Sequence, residues 1–112
     1  MPQRRHRRRL HMIRHVCMFE FLEEAEGRTR AENVAIAKAM LEALPGKIEW
    51  IRASTVATNH PDTPDSNWDL ILISDFDSPE DLARYQVHPD HVAVGTFMKP
   101  VRRSRSCVDF EI

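Results

Sequence analysis

The chain has 112 residues, 42% of them hydrophobic, enough for one domain with a real core and too few for a core plus a separate catalytic domain. Its net charge of −1 hides an asymmetry: Arg4, Arg5, Arg7, Arg8 and Arg9 put five positive charges in the first ten residues, and the remaining basic and acidic residues leave 11–112 with an excess of acid. Two cysteines exclude a disulfide framework, and no apolar run reaches membrane-spanning length.

An arginine-rich arm can hold phosphates, but a charge block without apolar partners is expected to stay disordered, so residues 1–11 are read as a basic tail. Binding of nucleic acid through residues 4–9 is disfavoured by the acidic body. Leu10–Leu22 is interrupted by His11, Arg14, His15 and Glu20, which rules out a signal-peptide core. A soluble, cytoplasmic protein with no membrane partner is expected. Cys17 and Cys107 lack CxxC spacing and are read as reduced core residues.

From Met12 to Phe21, apolar residues fall at odd and even positions alike, which predicts a strand buried on both faces. Glu23 to Arg28 reads as a polar connection. Thr29 with Glu32 three residues on is a capping-box signature, and Val34, Ala37, Leu41 and Leu44, widened by Ile36 and Met40, recur at helical spacing. This predicts a helix over 30–44, ended by Pro45-Gly46. Lys47 to Ala57 alternates as a second strand, and 58–67 is a turn-forming loop rich in Pro, Asn and Asp. Trp68 to Phe76 gives a third strand, again apolar on both sides.

Ser78-Pro79-Glu80-Asp81 supplies a cap, a proline at the first helical position and acids at the positive end of the dipole. The helix should run to Tyr85 or Gln86. His88 precedes Pro89, so the backbone should break there and restart toward Pro100. Ser104 to Ile112 alternates as a fourth strand, with Ser106, Val108, Phe110 and Ile112 on one parity and Arg105, Asp109 and Glu111 on the other. The order β-α-β-β-α-β, with a split second helix, predicts a ferredoxin-like α+β fold with a four-stranded antiparallel sheet. Two helices cover one sheet face only, so the other should be buried by a second copy, giving a homodimer.

Chemistry concentrates in Tyr85-Gln86-Val87-His88-Pro89-Asp90-His91, where a phenol and two imidazoles can accept, donate and relay protons near neutral pH. His15, in the first strand among apolar neighbours, could meet this corner across the interior and complete an apolar pocket with a few polar groups. His88 and His91 have His-x-x-His spacing, but the proline spoils chelation, no third ligand has obvious spacing, and Asp90 and His60 are undistinguished. No metal and no cofactor are expected. With three glycines there is neither a phosphate loop nor a Gly-x-Ser-x-Gly elbow.

The start Met12-Ile13-Arg14-His15-Val16, the strand Trp68–Phe76, the Tyr85–His91 segment and the ending Val108-Asp109-Phe110-Glu111-Ile112 together resemble the stress-responsive A/B barrel (Dabb) family of the dimeric α+β barrel superfamily, over residues 12–112. The resemblance implies a homodimer whose sheets form a barrel, with a cavity in each subunit between sheet and helices. A plant member of the family is a cofactor-free polyketide cyclase. Its working tyrosine and histidines match Tyr85, His91 and His15, whereas a further histidine of its third strand falls at about Leu70, an apolar residue. His91 is thereby expected as the base, Tyr85 as the donor to a developing enolate and His15 as a relay, with His88, Leu70 and Trp68 as ligand contacts. The resulting expectation is a homodimer that binds a small hydrophobic carbonyl ligand and carries cyclase-like or lyase-like chemistry. A non-catalytic stress-responsive oligomer is the alternative.

Overall fold

The computed structural model describes residues 11–112. The expected basic tail lies outside the described residues except for His11. The elements are β1 (Ile13–Phe21), β2 (Glu24–Ala25), β3 (Arg28–Thr29), α1 (Arg30–Ala43), a 3-10 turn at Leu44–Gly46, β4 (Ala53–Thr58), β5 (Leu70–Phe76), α2 (Pro79–Val87), α3 (Pro89–Met98) and β6 (Arg102–Glu111). Strands β4-β5-β1-β6 form one antiparallel sheet in that order. This is the ferredoxin-like α+β architecture that the element order predicts.

The local signals act as written. Thr29 accepts from the Glu32 amide at 3.2 Å while the Glu32 carboxylate accepts from the Thr29 amide at 2.9 Å, a closed capping box. Ser78 accepts from the Asp81 amide at 3.1 Å with Pro79 first in α2. His88 leaves the helical region at φ −64° and ψ 137°, and its Nδ1 accepts from the Asp90 amide at 3.1 Å, so the residue that ends α2 also caps α3.

Three expectations need correction. The second strand begins at Ala53, because Ile48 is taken into the core and Trp50 donates from Nε1 to the Asp81 carbonyl, which holds 47–51 off the sheet edge until the Arg52 amide reaches the Asp75 carbonyl. The polar connection 23–28 contains a small hairpin, β2 with β3, whose two-residue turn, Glu26-Gly27, has positive φ at both positions, as the twist of a tight hairpin requires. The cysteines are not two separate reduced residues: Cys17 and Cys107 are register partners across β1 and β6, and their sulfurs are joined in a disulfide. Spacing could not reveal this, because antiparallel pairing unites positions 90 residues apart. Closing a loop of that length is worth roughly 4–5 kcal/mol in the chain-entropy account.

The sheet's two faces differ. His15, Cys17, Phe19 and Phe21 of β1, with Leu70, Leu72, Ser74 and Phe76 of β5, are buried on the helix side. There Ala37 and Leu41 of α1, Leu82 and Tyr85 of α2, and Val94 and Met98 of α3 complete the core. Asn33, not Val34, takes the first buried turn of α1, donating to the Ala25 carbonyl and accepting from Arg28, which ties the helix to the hairpin. The opposite parity, with Val16, Met18, Ile71, Ile73, Val108 and Phe110, forms a face that no helix among the described residues covers. Val108 is 63% and Phe110 43% exposed.

Candidate functional site

The corner between α2 and α3 turns Tyr85 inward. Its ring is 1% exposed; it packs against Phe76 with centroids 4.9 Å apart and against His91 at 4.4 Å. His15 presents its ring edge to the phenol at 6.2 Å and is 2% exposed. Three residues from two helices and the central strand are thus brought together, as the sequence reading places them. Each has a position fixed by an element: Tyr85 by the last turn of α2, His91 by the first turn of α3, and His15 by the inward parity of β1.

The proton positions follow from the partners. His91 Nδ1 lies 3.1 Å from the Gln86 carbonyl, which can only accept, so Nδ1 carries the hydrogen and Nε2 keeps its lone pair. Burial, helped by lesser repulsion from His15, Arg105 and His88, outweighs the opposing Gln86 hydrogen bond and lowers the His91 pKa below the usual 6.5, which favours the neutral ring. Burial raises the Tyr85 pKa well above its ordinary value of 10.0, so the phenol stays a donor.

His15 has partners that sequence reasoning missed. Its Nδ1 lies 2.5 Å from the Asp109 carboxylate and its Nε2 lies 3.2 Å from Cys17 Sγ, which Arg105 also approaches at 3.7 Å. Ser74, buried on β5, is the register partner of His15. The signal was present in the polar parity of β6: Arg105, Cys107 and Asp109 oppose Phe19, Cys17 and His15, so the alternation that reads as a wet face points to the helix side. Only the β1–β6 register makes that legible. His15, Cys17 and Cys107 place one nitrogen and two sulfurs within 4.8 Å of one another, but the sulfurs are bonded to each other and offer no thiolate, so the set is not read as a metal site.

The other candidates lie elsewhere. His88 faces outward from the corner, capping α3 beside the Trp50 ring at 5.7 Å, while the Arg84 guanidinium stacks on that indole at 4.0 Å. Leu70 is in the core beside Phe19, four positions along β5 from Ser74, roughly 13 Å at strand rise. Trp68 and Leu70 border a hollow of about 570 Å³ with Met18, Ala57 and Ile71, at the end of the sheet remote from Tyr85. A second hollow, of about 620 Å³, lies between α1 and the 58–69 loop, lined in part by Arg30, Lys38 and His60.

Fold and corner together define an α+β sheet protein of the ferredoxin-like class with an aromatic and imidazole cluster under its helices. The chain belongs to the stress responsive A/B barrel domain (Dabb) family, whose model matches residues 13–112. It is similar to a dimeric ferredoxin-like protein of unknown function from Bacteroides fragilis, at 33% identity and TM-score 0.76 over 90% of this chain and 96% of that one. A dimeric ferredoxin-like protein of unknown function from Thermobifida fusca shares 24% identity and TM-score 0.76, covering 91% and 92% of the two chains. The hydroxynitrile lyase of Passiflora edulis shares the fold at 12% identity and TM-score 0.72, over 92% and 94%. No curated protein matches the chain. No helix among the described residues is long and apolar enough to cross a membrane.

Proposed function

We propose that the protein self-associates through its uncovered sheet face and binds a small hydrophobic carbonyl compound at the Tyr85, His91 and His15 corner, where it catalyses cofactor-free proton transfer. The observation that carries this reading is the tilted contact of the His91 and Tyr85 rings, centroids 4.4 Å and planes 54° apart, where burial lowers the His91 pKa and raises that of Tyr85. A base needs a free lone pair, and Nε2 of His91 has one because Nδ1 is engaged by Gln86. As the base removes a proton next to a carbonyl, charge develops on the carbonyl oxygen, and the phenol of Tyr85 can donate to it in a site that burial keeps at low dielectric. His15, fixed by Asp109, would orient or relay. The dimeric relatives from B. fragilis and T. fusca support self-association, and the exposed apolar residues of the open face supply its driving force.

The test is a thermal-shift screen of aromatic and polyketide-like carbonyl compounds, followed by turnover of any binder. Wild type should be stabilised, Tyr85→Phe should lose most of that shift, and His91→Ala should cut turnover by about 10²–10⁴-fold while remaining folded. Turnover unchanged in folded His91→Ala removes the mechanism.

One observation favours a second reading: the phenol of Tyr85 and the imidazole of His15 are almost completely enclosed by side chains. A non-catalytic oligomeric protein would have the corner filled in this way. In that case no carbonyl compound shifts the melting temperature, while charge placed on the open face still abolishes assembly.

A further inference from the structure

The sulfur pair stands beside groups that a structural staple does not need. Cys17 is buried under the helices, whereas Cys107 is half-buried on the edge strand β6. His15 directs Nε2 at Cys17 Sγ from 3.2 Å, with Asp109 behind Nδ1 and the Arg105 guanidinium 3.7 Å from the same sulfur. Because the carboxylate can only accept, Nδ1 carries the hydrogen and the Nε2 lone pair faces the sulfur. A base, an orienting carboxylate and a cation around one sulfur is the arrangement that favours thiolate over thiol.

We infer that Cys17 and Cys107 form a redox-active dithiol–disulfide couple, with small thiols and small disulfides as its reaction partners and Cys17 as the sulfur held as thiolate. The inference goes beyond carbonyl chemistry and does not rest on it. The asymmetry assigns the steps. A small thiolate attacks Cys107 Sγ, the more accessible sulfur; the bond between the two cysteines breaks, and its electron pair leaves on Cys17 Sγ, where His15 and Arg105 face the new charge. Low basicity makes Cys17 the better leaving group. A second small thiolate attacks the external sulfur of the mixed disulfide, forming a small disulfide and releasing Cys107 as a thiolate that takes a proton from water. The second proton, given up by a small thiol as it ionises to attack, is taken by the free Nε2 lone pair of His15, which then faces the Cys17 thiolate as imidazolium. Two electrons and two protons pass from two small thiols to the protein, and the reverse sequence reduces a small disulfide.

The charged and titratable groups around Cys17 and the His15 that faces it are Arg105 of β6 at the sulfur, and Asp109 of β6, Tyr85 of α2 and His91 of α3 around the His15 ring. Of these, His15 and Arg105 touch the sulfur, so His15 is the group whose removal should raise the thiol pKa most.

Two measurements test this on the full chain. Equilibrated with mixtures of reduced and oxidised glutathione, the folded wild type should interconvert reversibly, both forms being resolved by thiol trapping and mass spectrometry. In Cys107→Ser, the thiolate ultraviolet absorbance of Cys17 should titrate at least one unit below the free-cysteine value of about 8.5, and adding His15→Asn or Asp109→Asn should bring it back toward that value. A pair that excess glutathione leaves oxidised in the folded protein, or a Cys17 that titrates at or above the free value, overturns the inference and leaves a structural crosslink. Both readouts follow sulfur and not turnover, so they are independent of whether any carbonyl compound binds.

Discussion

The two faces of one sheet use the same strands in opposite ways. On the helix side, alternate residues of β1 and β5 are large, buried and packed against three helices, and the few polar groups admitted there, His15 and Ser74 with Asp109 at the rim, lie together next to Tyr85. On the other side Val16, Ile71 and Ile73 are flanked by the exposed Met18, Val108 and Phe110, while Arg14 and Asp75 form a bidentate pair at one end, with hydrogen bonds of 2.8 and 3.0 Å. The first face is complete within one subunit. The second has apolar surface that no element among the described residues covers, and the proposed self-association rests on it.

The largest expected effect breaks the covered face. Phe21→Ala empties a fully buried site and should cost about 3–5 kcal/mol, a loss independent of protein concentration, measured by urea unfolding. Next in size is the open face: if it carries the proposed self-association, Phe110→Asp with Met18→Asp should turn a wild-type dimer into monomers, seen by analytical ultracentrifugation, and make the melting temperature insensitive to concentration. If the double variant remains dimeric, the two faces do not divide core from interface.

Smaller effects sharpen the comparison. Because burial lowers the His91 pKa, the neutral ring needed as a base persists below pH 6.5; the rate should hold at neutral pH and fall only as pH drops through that lowered value. Stability carries the same sign. The unfolded chain takes up the His91 proton first, so stability present above the unfolded value declines as pH falls from there toward the folded one. A stability profile indistinguishable between wild type and His91→Asn across that range would show that the ring is not desolvated. The smallest effect is at the hairpin end of α1, where Thr29→Ala opens the capping box at a cost of about 1 kcal/mol by thermal melts, without altering assembly.

Much of the fold was legible because its causes are local. The Thr29 and Ser78 caps, the His88-Pro89 break and the apolar runs of β1 and β5 each act through neighbours a few residues away. That the break between α2 and α3 sets Tyr85 and His91 around a corner was likewise readable, whereas which way their rings face was not. Where β4 begins was not, since Trp50 is held by the Asp81 carbonyl, 31 residues on.

The sequence by itself determined the element order, the class of sheet, the excess of apolar strand surface over helical cover and the Tyr85 and His91 corner, because periodicity, caps and proline fix backbone conformation at short range. Tertiary structure alone decided which parity of β6 faces the helices. That register, set by hydrogen bonds between strands ninety residues apart, joins Cys17 to Cys107 and gives His15 its carboxylate. A side chain's neighbours across a sheet depend on pairing, and pairing is a property of the folded whole.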